Sequence, residues 1–86
     1  MRLNQLEYFI KVVECGSITK AAQELYLSQP SLTKAISSLE TEYDLKLFSR
    51  TARGLNLTPE GRDFLEYAKG VIDSTQALEN TFGKQN

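Results

Sequence analysis

Histidine is absent from this 86-residue sequence, and cysteine occurs once, at position 15. Without an imidazole there is no ready general base near neutral pH, and a lone thiol supplies no metal-ligand spacing. The five glycines stand far apart, so no glycine-rich loop is available to cradle a phosphate. Catalysis finds no foothold, and the expectation is a non-enzyme that needs neither cofactor nor metal. A single cysteine also excludes an internal disulfide and fits a reducing cytoplasm. No apolar run approaches the roughly 20 residues that a membrane span requires. The segment MRLNQLEYFIKVVE is interrupted by Glu7, Lys11 and Glu14, so it reads neither as a signal peptide nor as an anchor, and no membrane partner is expected.

An excess of basic residues is lacking too. Ten Lys and Arg stand against eleven Asp and Glu, and the pI is near 5.4. That balance argues against a protein that holds polyanions by bulk charge, whose usual footprint is a pI above about 9. The charge is nevertheless segregated. Leu45 to Thr58 contains Lys46, Arg50 and Arg53 and no acid, whereas from Pro59 to Glu79 five acids face only Arg62 and Lys69. The apolar share of 41% and charged share of 24% are those of a globular chain. At this length it forms one domain with a thin core, which a partner would help to stabilise.

Four helices are legible. Leu3, Leu6, Phe9, Ile10 and Val13 make one apolar stripe that stops at Gly16. Asn4 with Glu7 suggests a capping box, and Leu3 with Tyr8 a hydrophobic staple. Ser17 caps a second helix that buries Ile18, Ala21, Ala22 and Leu25, its paired alanines letting another helix approach closely. Ser28 caps a third, with Pro30 in the first turn and Leu32, Ala35, Ile36, Leu39 and Tyr43 facing inward. Two short helices joined this way form a helix-turn-helix pattern. Leu47-Phe48 and Leu55-Asn56-Leu57 then flank the polar turn SRTARG, a hairpin with Gly54 available for positive φ. Thr58, Pro59 and Glu60 start the last helix. Cys15 reads as a small buried hydrophobe, and Glu40, Glu42 and Asp44 as a solvated helix end.

The outward face of the third helix is the sharpest signal. Gln29, Thr33, Lys34, Ser37 and Ser38 are mostly short hydrogen-bonding residues rather than the long Glu/Lys pairs of an ordinary exposed helix. An α-helix fits the DNA major groove, where its N-terminal residues reach base edges first. Gln29 suits adenine, Pro30 and the Thr33 methyl suit thymine, and Lys34 suits guanine or a phosphate. Ser28, Ser31 and Ser38 suit phosphate oxygens. The plainer alternative is a solvated face of no consequence. In the hairpin, Arg53 is matched to a narrow minor groove and Arg50 to phosphate, against the alternative of an ordinary polar turn. The aromatic residues read as core or boundary positions rather than a base-stacking platform, which leaves RNA recognition little support.

Phe64, Leu65, Ala68, Val71, Ile72, Thr75, Leu78 and Phe82 form a heptad-like seam along the last helix. It either packs on the chain itself or joins a homodimer. The helix is too long for so small a body, which favours the dimer and a two-fold-related site. A competing reading, supported by the acidic pI, is a helical protein–protein interaction module that uses the 64–82 seam.

At this point the segments AAQELYLSQPSLTKAISSLE and LKLFSRTARGLNLTPEG resemble the N-terminal DNA-binding domain of LysR-type transcriptional regulators, and the likeness covers nearly the whole chain. It implies a mainly α fold: a winged helix-turn-helix of three helices plus a two-stranded wing over 1–58, then a long linker and dimerisation helix over 59–82. A tail at 83–86 would lead toward a C-terminal effector domain of periplasmic-binding-protein type that senses a small molecule. The implied function is double-stranded DNA binding in bacterial transcription regulation. By position, Gln29, Pro30, Thr33 and Lys34 would face bases, Ser28, Ser31 and Ser38 the backbone, and Arg50 and Arg53 would belong to the wing. Lys34 stands where the family usually carries arginine and lacks its planar fork. Thr33 replaces a more usual serine, and Asp44 a common glycine.

Overall fold

The computed structural model describes residues 1–83. Its elements are α1 (Leu3–Cys15), α2 (Ile18–Leu25), α3 (Gln29–Tyr43), β1 (Phe48–Thr51), β2 (Gly54–Leu57) and α4 (Pro59–Phe82). Apart from Gly83, the expected tail at 83–86 lies outside the described residues.

The start of α1 differs from expectation. Its N-cap is Arg2, and the reach-back bond comes from Gln5, whose Oε1 accepts the Arg2 N–H at 2.7 Å. Asn4 and Glu7 therefore lie inside the helix, and Leu3 is exposed rather than stapled into the core. Leu6, Phe9 and Val12 form the buried stripe. The other caps follow local chemistry: the side-chain oxygens of Ser17, Ser28 and Thr58 accept the N–H groups of Lys20, Ser31 and Gly61. At the C-termini Gly16, Tyr26 and Asp44 are left-handed, with φ of 66°, 57° and 51°.

Ala21 and Ala22 are buried, so α2 nests closely between α1 and α3. Leu32, Ile36 and Leu39 seal α3 against the same core. Phe9 is its centre, with the Phe48 ring 5.4 Å away and the Phe64 ring edge-on at 5.3 Å. Cys15 is half-buried rather than a core hydrophobe. Its thiol donates to Glu24 across 3.4 Å, and burial together with that carboxylate pushes its pKa up.

The hairpin is tighter than the sequence suggests. Ser49, Arg50 and Thr51 pair with Asn56, Leu55 and Gly54, so SRTARG is mostly strand and only Ala52 and Arg53 form the turn. Gly54 takes φ 112°. The Asn56 amide donates to Thr51 Oγ1 at 2.9 Å and to the Gly54 carbonyl at 3.3 Å, tying the tip together.

Helix α4 packs on α1 and β2 through its first half and then leaves the body, which gives extents of 47 × 26 × 21 Å. The seam residues divide accordingly. Ala68 is buried by the chain itself, and Phe64, Leu65 and Ile72 are half-buried against the core. Thr75 is half-buried and donates to the Val71 carbonyl one turn back. Val71, Leu78 and Phe82 are exposed.

Candidate nucleic-acid interface

Burial of Leu32, Ile36 and Leu39 turns the opposite face of α3 to solvent, since side chains three and four residues apart share one side of a helix. Gln29, Pro30, Thr33 and Lys34 are all exposed and together line a shallow, open concavity at the helix start. All four residues expected to meet bases are thus brought to one place. Ser38 is exposed on the same helix, about 13 Å further along its axis at 1.5 Å per residue.

Ser28 and Ser31 have unequal freedom. Ser28 Oγ accepts the Ser31 N–H at 3.2 Å and donates to Ser31 Oγ at 2.8 Å, so it is committed to starting the helix. The Ser31 hydroxyl proton is left for an outside acceptor. Both residues are exposed.

The wing stands beside this face. Arg50 lies on β1 and Arg53 in the two-residue turn, and both are exposed. A cleft between α3 and the hairpin is lined by Thr33, Ser37, Lys46 and Arg50, among others, joining the exposed face of the helix to the wing. Among the described residues no carboxylate lies within 4.0 Å of Lys34, Lys46, Arg50 or Arg53. The paired cations among the described residues are Lys11, which meets Glu14 and Glu24 at 3.6 Å, and the N-terminal ammonium, which meets Glu42 at 2.9 Å.

Sequence reasoning missed several contributors. Lys46, marked in the sequence only as part of the basic stretch, borders the cleft together with Ser37 of the outward face. Asn56 orders the wing tip, and Glu40, expected to be solvated, is half-buried and accepts the Leu47 N–H at 2.8 Å. For Lys46 the available signal was position, directly before the hairpin.

A second surface lies at the junction of α1, the end of α3, and α4. Met1, Leu6, Tyr43, Phe64, Tyr67 and Val71 border an apolar hollow of about 310 Å³. Tyr67 is 79% exposed, and with Leu78 at 56% and Phe82 at 78% it continues an apolar track along α4.

The model of the bacterial regulatory helix-turn-helix protein, lysR family, matches residues 3–62. The regulator TfdT of Cupriavidus pinatubonensis is 45% identical over 76 residues, covering 88% of this chain and 33% of the relative. BenM of Acinetobacter baylyi is 46% identical over 78 residues, covering 91% of this chain and 26% of BenM. Among solved structures, the BenM DBD in complex with catB site 1 DNA superposes with a TM-score of 0.88 at 39% identity, covering 93% of this chain and 86% of that one. The chain spans roughly a quarter to a third of the length of these curated relatives.

Proposed function

This chain belongs to the lysR family of bacterial regulatory helix-turn-helix proteins, as a winged helix-turn-helix DNA-binding domain, and on that premise we propose how it recognises DNA. Helix α3 enters the major groove from its capped end. Gln29, Pro30, Thr33 and Lys34 meet base edges, and the Ser31 and Ser38 hydroxyls, the backbone N–H of Ser28 at the helix cap and Arg50 hold the DNA backbone. Arg53 at the wing tip reaches the minor groove, where A-tract narrowing strengthens the negative potential. The observation that carries this reading is the grouping of the four base-facing candidates at the start of α3, beside cations that form no salt bridge among the described residues.

The protein acts as a homodimer through α4, each copy reading one half of a two-fold-related site. The exposed track of Tyr67, Val71, Leu78 and Phe82 supports this reading. The curated relatives are roughly three times as long as this chain, which supports the reading that a small-molecule effector is sensed by a C-terminal domain beyond these residues, with regulation taking place in the cytoplasm. Among the described residues no helix is long and apolar enough to cross a membrane.

Selection of bound duplexes from a random-sequence pool tests the proposal. The expected result is an enriched consensus with two-fold symmetry. Recovery of no consensus would sink base readout, and a single asymmetric half-site would sink the dimeric mode.

A further inference from the structure

We propose that Glu40 is a positioning residue that sets the wing against the recognition helix and thereby determines how well Arg53 engages DNA. The inference rests on the DNA-binding reading above. Glu40 lies in the last turns of α3, and residue 40 grips the start of the hairpin twice: its carboxylate accepts the Leu47 N–H at 2.8 Å and its carbonyl accepts the Leu45 N–H at 3.0 Å. Leu47 is fully buried. The Leu47 carbonyl in turn accepts the Thr58 N–H at 3.0 Å, while the Thr58 hydroxyl donates chiefly to the neighbouring Lys46 carbonyl, with the Leu47 carbonyl at a longer 3.3 Å. The two ends of the hairpin therefore meet at one point, with Leu47 bonded to α3 through its N–H and to the N-cap of α4 through its carbonyl.

A two-stranded hairpin has little stability of its own, so its direction is inherited from this base. Phe48, Leu55 and Leu57 pack on the core near the base, but residues 49 to 54 are all exposed. Each strand has four residues, which is about 13 Å at about 3.3 Å per residue, so a tilt of about 10° at the base moves the tip by about 2 Å. That shift is enough to break a hydrogen bond at Arg53.

Electrostatics make the placement of Glu40 informative. Its side chain borders the cleft shared with Thr33, Lys46 and Arg50, where a negative charge repels phosphate. Among the described residues it forms no salt bridge, so its bonded partner is the Leu47 peptide. A glutamine there keeps the acceptor and removes the repulsion, whereas an alanine removes both.

The experiment measures the affinity of the wild-type chain and of Glu40→Gln, Glu40→Ala, Arg53→Ala and the Glu40→Ala/Arg53→Ala double variant for the duplex that the wild-type chain recovers from a random pool. Amide exchange at Leu47 is followed in parallel by NMR. Glu40→Ala is expected to weaken binding by about tenfold, the scale of one hydrogen bond to a charged group. It should add almost nothing once Arg53 is gone. Glu40→Gln is expected to bind as well as wild type or more tightly, and Leu47 exchange should accelerate in the alanine variant alone. Equal losses in both Arg53 backgrounds would overturn the proposal, as would a glutamine variant as weak as alanine, no cost for Arg53→Ala, or unchanged Leu47 exchange in Glu40→Ala. Failure of the wild-type chain to recover any duplex would instead overturn DNA binding itself, and it is seen before any variant is made.

Discussion

Gly61 rests directly on the carbonyl oxygen of Leu47, so that a Cβ at position 61 would overlap that backbone atom. The contact brings the first turn of α4 onto the base of the wing, and no side-chain rearrangement can relieve it. Gly61→Ala is expected to destabilise the fold by about 1–3 kcal/mol, the range for inserting atoms into a packed site. Gly70 offers the matched control. It lies mid-helix in the same α4, and a Cβ there meets nothing within 4 Å. Gly70→Ala is expected to stabilise by up to about 1 kcal/mol through helix propensity alone. Thermal unfolding of the two variants should move in opposite directions.

The division of labour between helix and wing gives a second test. Gln29→Ala should cost about 1–3 kcal/mol on the selected duplex and relax preference at one base pair. Arg50→Ala should weaken all duplexes alike and lower the salt slope by about 0.9, the loss of one neutralised phosphate. Titrations against the selected and a scrambled duplex at several salt concentrations separate these outcomes. Equal losses on both duplexes for Gln29→Ala would argue against base readout.

How far the sequence revealed this molecule depended on the range of each interaction. The caps at Ser17, Ser28 and Thr58 are local, involving an oxygen and an N–H three residues apart, and they were legible. So was the exposed face of α3, because helical periodicity separates it from Leu32, Ile36 and Leu39. The start of α1 was misread because Arg2 carries no side-chain capping signal and the bond comes from Gln5. The tight wing turn was hidden because it depends on cross-strand bonds from Asn56 to Thr51 and Gly54. Glu40 looked like a solvated helix end because its partner, Leu47, lies beyond the end of the helix.

Tyr26 was equally hidden, since φ 57° runs against the propensity of a tyrosine and goes with the helix-end bonds from the Tyr26 N–H to the Gln23 carbonyl and from the Leu27 N–H to the Ala22 carbonyl. Its side chain is 95% exposed, so the left-handed backbone is maintained without compensating burial of the ring. Asparagine tolerates this region far better and lacks the unfolded-state entropy of glycine. Tyr26→Asn is therefore expected to raise stability by about 0.5 kcal/mol, or about 2–4 °C in Tm for a domain of this size. Differential scanning calorimetry decides it, and an unchanged or lowered Tm would mean that the ring contributes something its exposure does not suggest.

The outer half of α4 separates the two possible uses of its apolar seam. Ala68 is already covered by the chain, while Leu78 and Phe82 are 56% and 78% exposed. Replacing either by aspartate removes little from the fold, because substitutions at such positions usually stay within about 0.5 kcal/mol. In a homodimer the same change would put a charge into an apolar contact, next to the acidic residues Asp73 and Glu79 that α4 already carries. Leu78→Asp and Phe82→Asp are expected to leave thermal unfolding of the dilute chain nearly unchanged while shifting sedimentation equilibrium toward monomer. Affinity for a duplex with two half-sites should then fall toward that for a single half-site, which itself should not change. Persistence of the dimer in both variants would place the interface nearer the hollow between Met1, Tyr43 and Tyr67, where the body of the domain rather than the end of the helix would make the contact.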